Sequence, residues 1–528
     1  MKRQWLICTA IVGLALALTA GLSRAHSPEG PAEARLLNGF LPPGTAFTYQ
    51  GRITKGGIPI NGTCDFRFGL WDEHTDGLQI GITSTVTGVA VTDGLFTISD
   101  LDFGEGAFTG EARWLAVGVK CGSDPDYTYL TPRQALRPAP HALALPGLWT
   151  QQNGTSPNLI GGYSGNQVSD GVVGATIGGG GSSGFINRVS ANYATVGGGY
   201  GNAASGPHAT VGGGSSNTAS GIDATVGGGY NNTASDWYAT VSGGFSNTAS
   251  GSYATVGGGS GNAASGGYAT VGGGWDNIAS GLYATVGGGA GNAASDRYAT
   301  VGGGDNNTAS DSYATVSGGY LNIASGPRAT VGGGAGNAAS SLYATVGGGE
   351  GNTASGDAAT VGGGYGNEIA TTASYASIPG GLQASASHYG QMAYASGEFA
   401  TPGDAQTSLY VLRNTTNDTT QTELFLDGRG ERITLPSGST MVFDILIVAR
   451  SSGQASAGYR ITGVIENYNG TTSFIGTPTD NTLGEDRSAW SVSVEANDTY
   501  DALRILVTGE NGFNIRWVAM VRTAEVSW

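Results

Sequence analysis

A fifteen-residue repeat in the middle of this 528-residue chain constrains its fold more than any other feature of the sequence. A short fixed period is typical of solenoid proteins, in which each repeat buries its apolar face against the next. The repeat therefore predicts a stack of short β coils. The valine that marks the register recurs at Val196, Val211, Val226, Val241, Val256, Val271, Val286, Val301, Val316, Val331, Val346 and Val361.

One coil, ATVGGGYNNTASDWY at residues 224–238, shows what each position does. Strand alternation places Ala224 and Val226 inward and Thr225 outward. Ala234 never changes in the regular coils, which predicts an inward position without spare room. The last two glycines of the triplet are also constant, which indicates a tight turn or a close backbone contact. The recurring asparagines are predicted to serve the turns and to hydrogen-bond along the stack. They include Asn202, Asn217, Asn232, Asn247, Asn262 and Asn277.

The regions around the repeats alternate like β-strands. Cys64, Phe66, Phe68 and Leu70 fall on one strand face, and a long apolar run follows residue 439. Both flanks are therefore predicted to be antiparallel β domains. The predicted segments are a signal peptide (1–25), a leader (26–45), an N-terminal β domain (46–143), a linker (144–157), the repeats (158–378), a neck (379–404) and a C-terminal β domain (405–528).

The N-terminus predicts export. A basic start, an apolar run and small residues before His26 are typical of a cleaved signal peptide, with an uncleaved membrane anchor as the alternative. Export places the chain in an oxidising compartment, where Cys64 and Cys121 are expected to pair, the alternative being two separate buried thiols. The predicted location is outside the cell or on a bacterial cell surface.

Composition excludes some partners. Only 12% of the residues are charged, and the formal net charge is −16. An acidic surface repels nucleic acid and anionic membranes, so neither is an expected partner. A coil with one valine and two alanines inside also buries little apolar area for the residues it orders. This argues that identical chains associate side by side.

The ATVGGG…NTASG pattern resembles the head repeats of trimeric autotransporter adhesins, the YadA-type head, over roughly residues 158–398. The resemblance implies a left-handed parallel β-roll that packs as a homotrimer. This chain departs from the family because it shows no heptads for a coiled-coil stalk. Arg516 and Arg522 in the last strand-like run also argue against an outer-membrane anchor, since arginine is costly against lipid.

The two flanks carry weaker resemblances. The C-terminal region, with Ser408–Asn414, Glu423–Gly428 and Ile515–Ala519, resembles fibre-tip domains of phage tail-fibre proteins. The N-terminal module, with Phe47–Arg52 and Thr131–Leu136, is similar to a β module at the start of bacterial secreted repeat proteins. The second resemblance implies no activity.

The sequence offers no clear catalytic or metal-binding motif. His74 lies in WDEHTDG, where an Asp-Gly turn is the simpler interpretation than a metal site. The carboxylate pairs Glu485/Asp486 and Asp498/Asp501 resemble hairpin tips, and no cofactor is expected. A tyrosine column from Tyr238 to Tyr313 predicts packing between coils or chains, with stacking of sugar rings as the alternative.

We therefore expect an all-β structural or adhesive fibre protein without enzymatic activity. Its homotrimeric shaft would carry a C-terminal tip that binds a surface glycan or protein. The alternatives are a polysaccharide-degrading spike enzyme and an ice-binding solenoid, the latter because of the outward threonine rows.

Overall fold

The computed structural model describes residues 46–104, 107–108, 111–137 and 147–528. The predicted signal peptide and leader lie outside these residues, as does part of the segment that joins the N-terminal domain to the repeats. The chain divides into two units, Met1–Leu143 and Ala144–Trp528. The described residues form β-strands and no α-helix. They therefore contain no helix with the length and hydrophobicity that crossing a membrane requires.

The first unit is a small antiparallel β domain. Its buried face carries Phe66, Phe68 and Leu70, which are fully shielded from solvent, and Phe66 stacks on Phe96 with ring centroids 4.1 Å apart. Cys64 and Cys121 lie directly opposite each other on paired strands and are joined by a disulfide. The strands are Phe47–Arg52, Thr54–Lys55, Ile58–Pro59, Gly62–Trp71, Gln79–Val91, Leu95–Leu101, Arg113–Cys121, Thr128–Tyr129 and Gln134–Leu136.

The second unit begins as a parallel β-solenoid, as the repeat predicts. Each coil contributes two short strands to two parallel stacks. The first stack comprises Asn158–Gly161, Thr176–Ile177 and then Thr195–Val196 and its equivalents every fifteen residues to Thr360–Val361, followed by Ser377–Ile378 and Met392–Tyr394. The second comprises Gln167–Val168, Arg188–Val189 and then Ala203–Ala204 and its equivalents to Glu368–Ile369, followed by Ser385–Ala386. Leu148–Gln151 pairs antiparallel with Asn158–Gly161 and covers the first coil.

One chain closes the solenoid core by itself. Ala224, Val226, Asn232 and Ala234 of a typical coil are all 0% exposed. The coils above and below cover these small side chains, so no second chain is needed to shield the inward residues. This changes the argument for a trimer, because a partner could cover only the outer surface.

The inward asparagines form a continuous ladder. The Nδ2 of Asn232 donates to the carbonyl oxygens of Gly228 at 2.9 Å and Gly244 at 2.8 Å. Its backbone N–H donates to the Oδ1 of Asn217, one coil earlier, at 2.9 Å. The left-handed residue of this turn is the preceding Asn231, with a φ of 55°. The ladder asparagine therefore fills the core beside the turn and satisfies its polar groups.

The glycine triplet allows successive coils of the solenoid to stack closely. Gly229 has a φ of +88°, and a Cβ built on it would lie 2.1 Å from the carbonyl oxygen of Gly244 in the next coil. A Cβ on Gly228 would meet nothing within 4 Å. A Cβ on Gly227 would lie 2.2 Å from the carbonyl oxygen of Ser242, but serine replaces this first glycine at Ser242 and Ser317. The strict requirement for glycine therefore falls on the third position of the triplet, where φ is also positive.

The second unit ends in a two-sheet β domain that continues directly from the solenoid. Met392–Tyr394 pairs antiparallel with the first long strand of this domain. Side chains of both sheets form one core, which includes Trp517, Tyr410, Phe443 and Ile505. The strands are Ala405–Thr416, Thr422–Glu423, Ile433–Thr434, Ser439–Ser451, Ser456–Tyr468, Thr471–Phe474, Thr479–Glu485, Ser491–Asn497, Ala502–Thr508 and Ile515–Ser527.

Candidate functional site

The tyrosine column stacks face to face along the solenoid. From Tyr238 to Tyr313, successive ring centroids are 4.8–4.9 Å apart and successive ring planes differ by 1–19°. Each inner ring therefore has both faces covered by its neighbours. A sugar ring stacks on a free aromatic face, so this column can offer one only at its ends. The geometry favours packing between coils over a sugar platform.

The acidic motifs of the sequence serve local structure. Asp72 accepts the backbone N–H of Leu78 at 2.7 Å within the WDEHTDG turn. Asp486 accepts the N–H of Ser456 at 2.8 Å, and Asp498 accepts the N–H of Thr472 at 2.7 Å. Within the described ranges, no three histidine, cysteine or acidic side chains are grouped so as to hold a metal ion.

A pocket of about 220 Å³ lies where the last coil meets the C-terminal domain, and it was not foreseen from the sequence. His388 sits in it, and its Nε2 accepts the backbone N–H of Thr434 at 3.0 Å. The proton is therefore on Nδ1, which lies 3.2 Å from the Oε1 of Gln391. Burial lowers the pKa of His388, although Gln391 and the more distant Glu525 oppose the shift.

Glu525 of this pocket is also held by protein groups. Its Oε2 accepts the Nε2–H of Gln406 at 2.8 Å, and its Oε1 accepts the hydroxyls of Tyr410 and Thr523. Burial and this carboxylate raise the pKa of Tyr410 well above its ordinary value. Because these polar groups hydrogen-bond to one another, they connect the last coil to the C-terminal domain.

Four long neighbouring strands of the C-terminal domain form an outer face on which apolar side chains are exposed to solvent. Val411, Val448 and Val518 are 50%, 56% and 40% exposed. The face is formed by neighbouring strands in the order Ala405–Thr416, Ile515–Ser527, Ser439–Ser451 and Ser456–Tyr468. Exposed aliphatic groups on a regular sheet are typical of a surface that contacts another molecule.

One end of this face is basic. Arg516 lies directly opposite Arg450 on the neighbouring strand and opposite Thr415 on the other side. Both arginines are exposed. Like charges directly opposite each other destabilise a sheet, so an anion bound between these two arginines would be stabilising.

An open cleft of about 720 Å³ adjoins the basic end. We call it the arginine cleft. Its walls come from the final solenoid turn and from the C-terminal sheet and its loops. The lining residues are Tyr389, Arg413, Asn414, Thr415, Asp427, Gly428, Arg429, Arg516, Trp517 and Val518.

Several groups in the arginine cleft are already fixed. Arg413 donates from Nη2 to the carbonyl of Asp427 at 2.9 Å and from Nη1 to that of Leu426 at 3.3 Å. The Oδ1 of Asp427 accepts backbone N–H groups of the turn that begins at Arg429. The cleft thus presents guanidinium groups beside the ring of Tyr389, and its one carboxylate is bound to its own turn.

A family model described as "Domain of unknown function (DUF8740)" matches residues 48–133, which lie within the first unit. No curated protein matches the chain. The sequence resemblance of the repeats to the adhesin head remains a prediction.

Two solved structures are similar over part of the chain. One is the tailspike protein gp49 of Acinetobacter baumannii bacteriophage Fri1, a capsular polysaccharide depolymerase, at 7% identity and a TM-score of 0.17, covering 67% of this chain and 79% of that one. The other is the tailspike protein of Acinetobacter phage vB_ApiP_P1, at 8% identity and a TM-score of 0.17, covering 68% of this chain and 81% of that one. Likeness at this level carries no argument about the activity of this chain.

The prediction that the chain is not an enzyme is withdrawn: one of these tailspike proteins is a capsular polysaccharide depolymerase, although that likeness does not show an activity for this chain. That prediction rested on the absence of an identifiable acid–base pair or catalytic cluster in the sequence. The fold shows why such an absence is not informative: His388 and Tyr410 come from different elements and lie with ring centroids 5.7 Å apart. What the chain shows plainly is a long β-solenoid joined to a C-terminal β domain.

Proposed function

We propose that this chain is an exported fibre protein in which the solenoid is a shaft and the C-terminal domain is a tip that binds a surface glycan. The arginine cleft is the observation that carries the proposal. It is concave, it lies at the junction of shaft and tip, and it combines hydrogen-bond donors with an aromatic ring. Such concave sites with few, well-placed polar groups are typical of ligand-binding sites.

We also propose that three copies associate side by side. The support lies on the outer surface, where Phe245, Trp237 and Trp275 of the solenoid are 54%, 56% and 59% exposed. The aliphatic face of the tip adds a second uncovered surface. Three identical tips would strengthen weak single-site binding through avidity.

Two measurements on the secreted full chain test these statements. Light scattering after size exclusion should give three times the mass of one chain, and a folded monomer would refute the homotrimer. A glycan array should show binding to a defined set of glycans, and a blank array would refute the glycan-binding tip. Release of reducing ends from a bound glycan would add a hydrolytic activity to the binding function.

A further inference from the structure

The arginine cleft has a charge pattern that its surroundings lack. Lysine occurs only at positions 2, 55 and 120, so arginine supplies every permanent positive charge on the side chains of residues 147–528. Four other arginines of the C-terminal domain have acidic partners; for example, Arg432 pairs with Glu423 at 2.8 Å, and Arg460 pairs with Asp444 at 2.9 Å. Among the described residues, no carboxylate pairs with Arg413, Arg429 or Arg516.

The same sheet face provides an internal comparison. At its other end, Arg522 lies directly opposite Asp444, which also holds Arg460. At the cleft end, the position equivalent to Asp444 is taken by Arg450, directly opposite Arg516. One carboxylate thus lies beside two arginines at that end of the face, whereas the end that borders the cleft has the facing arginines and no carboxylate among the paired positions Thr415, Arg516 and Arg450.

The geometry points to carboxylate groups as the missing counter-charges. Guanidinium groups bind planar carboxylates through two parallel N–H donors, and Arg413 is already oriented by two backbone carbonyls. The ring of Tyr389 can pack against a sugar ring next to such a group. The chain as a whole has a formal net charge of −16, so a polyanion would be repelled from most of it and attracted here.

We propose that the arginine cleft binds carboxylated sugars, such as the uronic acid units of an acidic polysaccharide. This inference rests on the proposed glycan-binding function and specifies its ligand class. Arg516 and Arg429 would contact the carboxylates, and Arg413 would fix the position of the sugar chain. Binding through these exposed charges would weaken with salt.

Titration calorimetry of the full chain with polygalacturonate, dextran sulfate and neutral dextran tests this proposal. Polygalacturonate should bind more tightly than dextran sulfate, and dextran should not bind. Arg516→Gln should weaken the binding of polygalacturonate about tenfold, and Arg429→Gln combined with Arg516→Gln about a hundredfold. Arg522→Gln removes the same charge from the same sheet face and should leave binding within about twofold of the wild-type value.

The outcomes separate this inference from the proposed function. If array glycans bind but polygalacturonate does not, or if Arg522→Gln weakens binding as much as Arg516→Gln, the glycan-binding function stands and the cleft assignment is wrong. If no glycan binds at all, both are wrong. If Arg516→Gln changes the mass in solution, the basic end is an interface between copies, which also overturns the assignment. Unchanged thermal unfolding of the variants excludes misfolding as the cause of any loss.

Discussion

Asn277 donates both its backbone N–H and its side-chain Nδ2 to the Oδ1 of Asn262, one coil earlier, at 3.0 and 3.1 Å. The same Nδ2 also reaches the carbonyl oxygens of Gly273 and Gly289 at 2.9 and 2.8 Å. One buried amide therefore connects three successive coils. Because the core contains mainly alanine and valine, this ladder supplies much of the specificity of stacking.

Replacing Asn277 with leucine should destabilise the solenoid strongly. Leucine has a similar volume but leaves the N–H of Asn292 without an acceptor and the carbonyl of Gly273 without a donor in a buried site. The carbonyl of Gly289 loses one of its two donors and keeps the N–H of Trp275. We expect a loss of about 3 kcal/mol or more in the free energy of unfolding. Urea unfolding followed by circular dichroism measures it. The exposed neighbour provides the control, since Asp276→Asn should change stability by less than about 0.5 kcal/mol.

Two adjacent glycines should respond very differently to alanine. Gly289 has a φ of +89°, and a Cβ on it would lie 2.0 Å from the carbonyl oxygen of Gly304. Gly289→Ala should therefore cost about 3 kcal/mol, because backbone strain adds to a clash with the next coil. Gly288→Ala should cost less than about 0.5 kcal/mol, since its nearest contact would be 3.9 Å away. Equal melting temperatures for the two variants would contradict this assignment.

The sequence predicts the solenoid well because its repeats are internal comparisons. The constancy of Ala234 across coils indicates an inward position, and the structure buries it completely. The closed core was not predicted, because an area estimate for one coil omits the contribution of Asn232 and its ladder. The family resemblance and the trimer remain predictions.

The functional site was harder to predict, because its residues are far apart in sequence. Tyr389, Arg429 and Arg516 come from a solenoid turn, a loop and a late strand, and only the fold brings them to one cleft. The opposition of Arg450 and Arg516 depends on strand register, which alternation alone does not fix. His388 was missed for a similar reason, since its partner Thr434 lies 46 residues away.

The stability of the contact between His388 of the last coil and Thr434 of the C-terminal domain should depend on pH. Burial lowers the pKa of His388 in the folded protein, so the unfolded chain binds the proton more readily. The contribution is therefore present above the unfolded pKa of about 6.5 and is lost as pH falls towards the lowered folded pKa. The melting temperature of the wild-type protein should decrease as the pH is lowered from about 7.5 to about 5.5. In His388→Gln this fall should be smaller, and an identical pH profile would contradict the prediction.

The tyrosine column should contribute to stability and not to glycan binding. Tyr268 stacks between Tyr253 and Tyr283 at centroid distances of 4.8 and 4.9 Å. Tyr268→Ala should cost about 1 kcal/mol, whereas Tyr268→Phe keeps the ring and should be nearly neutral. Glycan binding, measured by calorimetry, should be unchanged in both variants. Loss of binding in Tyr268→Ala alone would restore the sugar-stacking interpretation.

Reduction of the disulfide should destabilise the first unit selectively. Cys64 and Cys121 are 57 residues apart, and closing a loop of this length restricts the unfolded chain by about 4 kcal/mol. The solenoid belongs to the other unit and, in the described range 147–528, contains no cysteine. Adding a reductant during thermal unfolding should therefore lower the transition of the first unit and leave the solenoid transition in place. The double variant Cys64→Ser with Cys121→Ser should behave the same way without reductant. A shift of both transitions in this variant would show that the two units unfold cooperatively, so that the disulfide stabilises the whole chain.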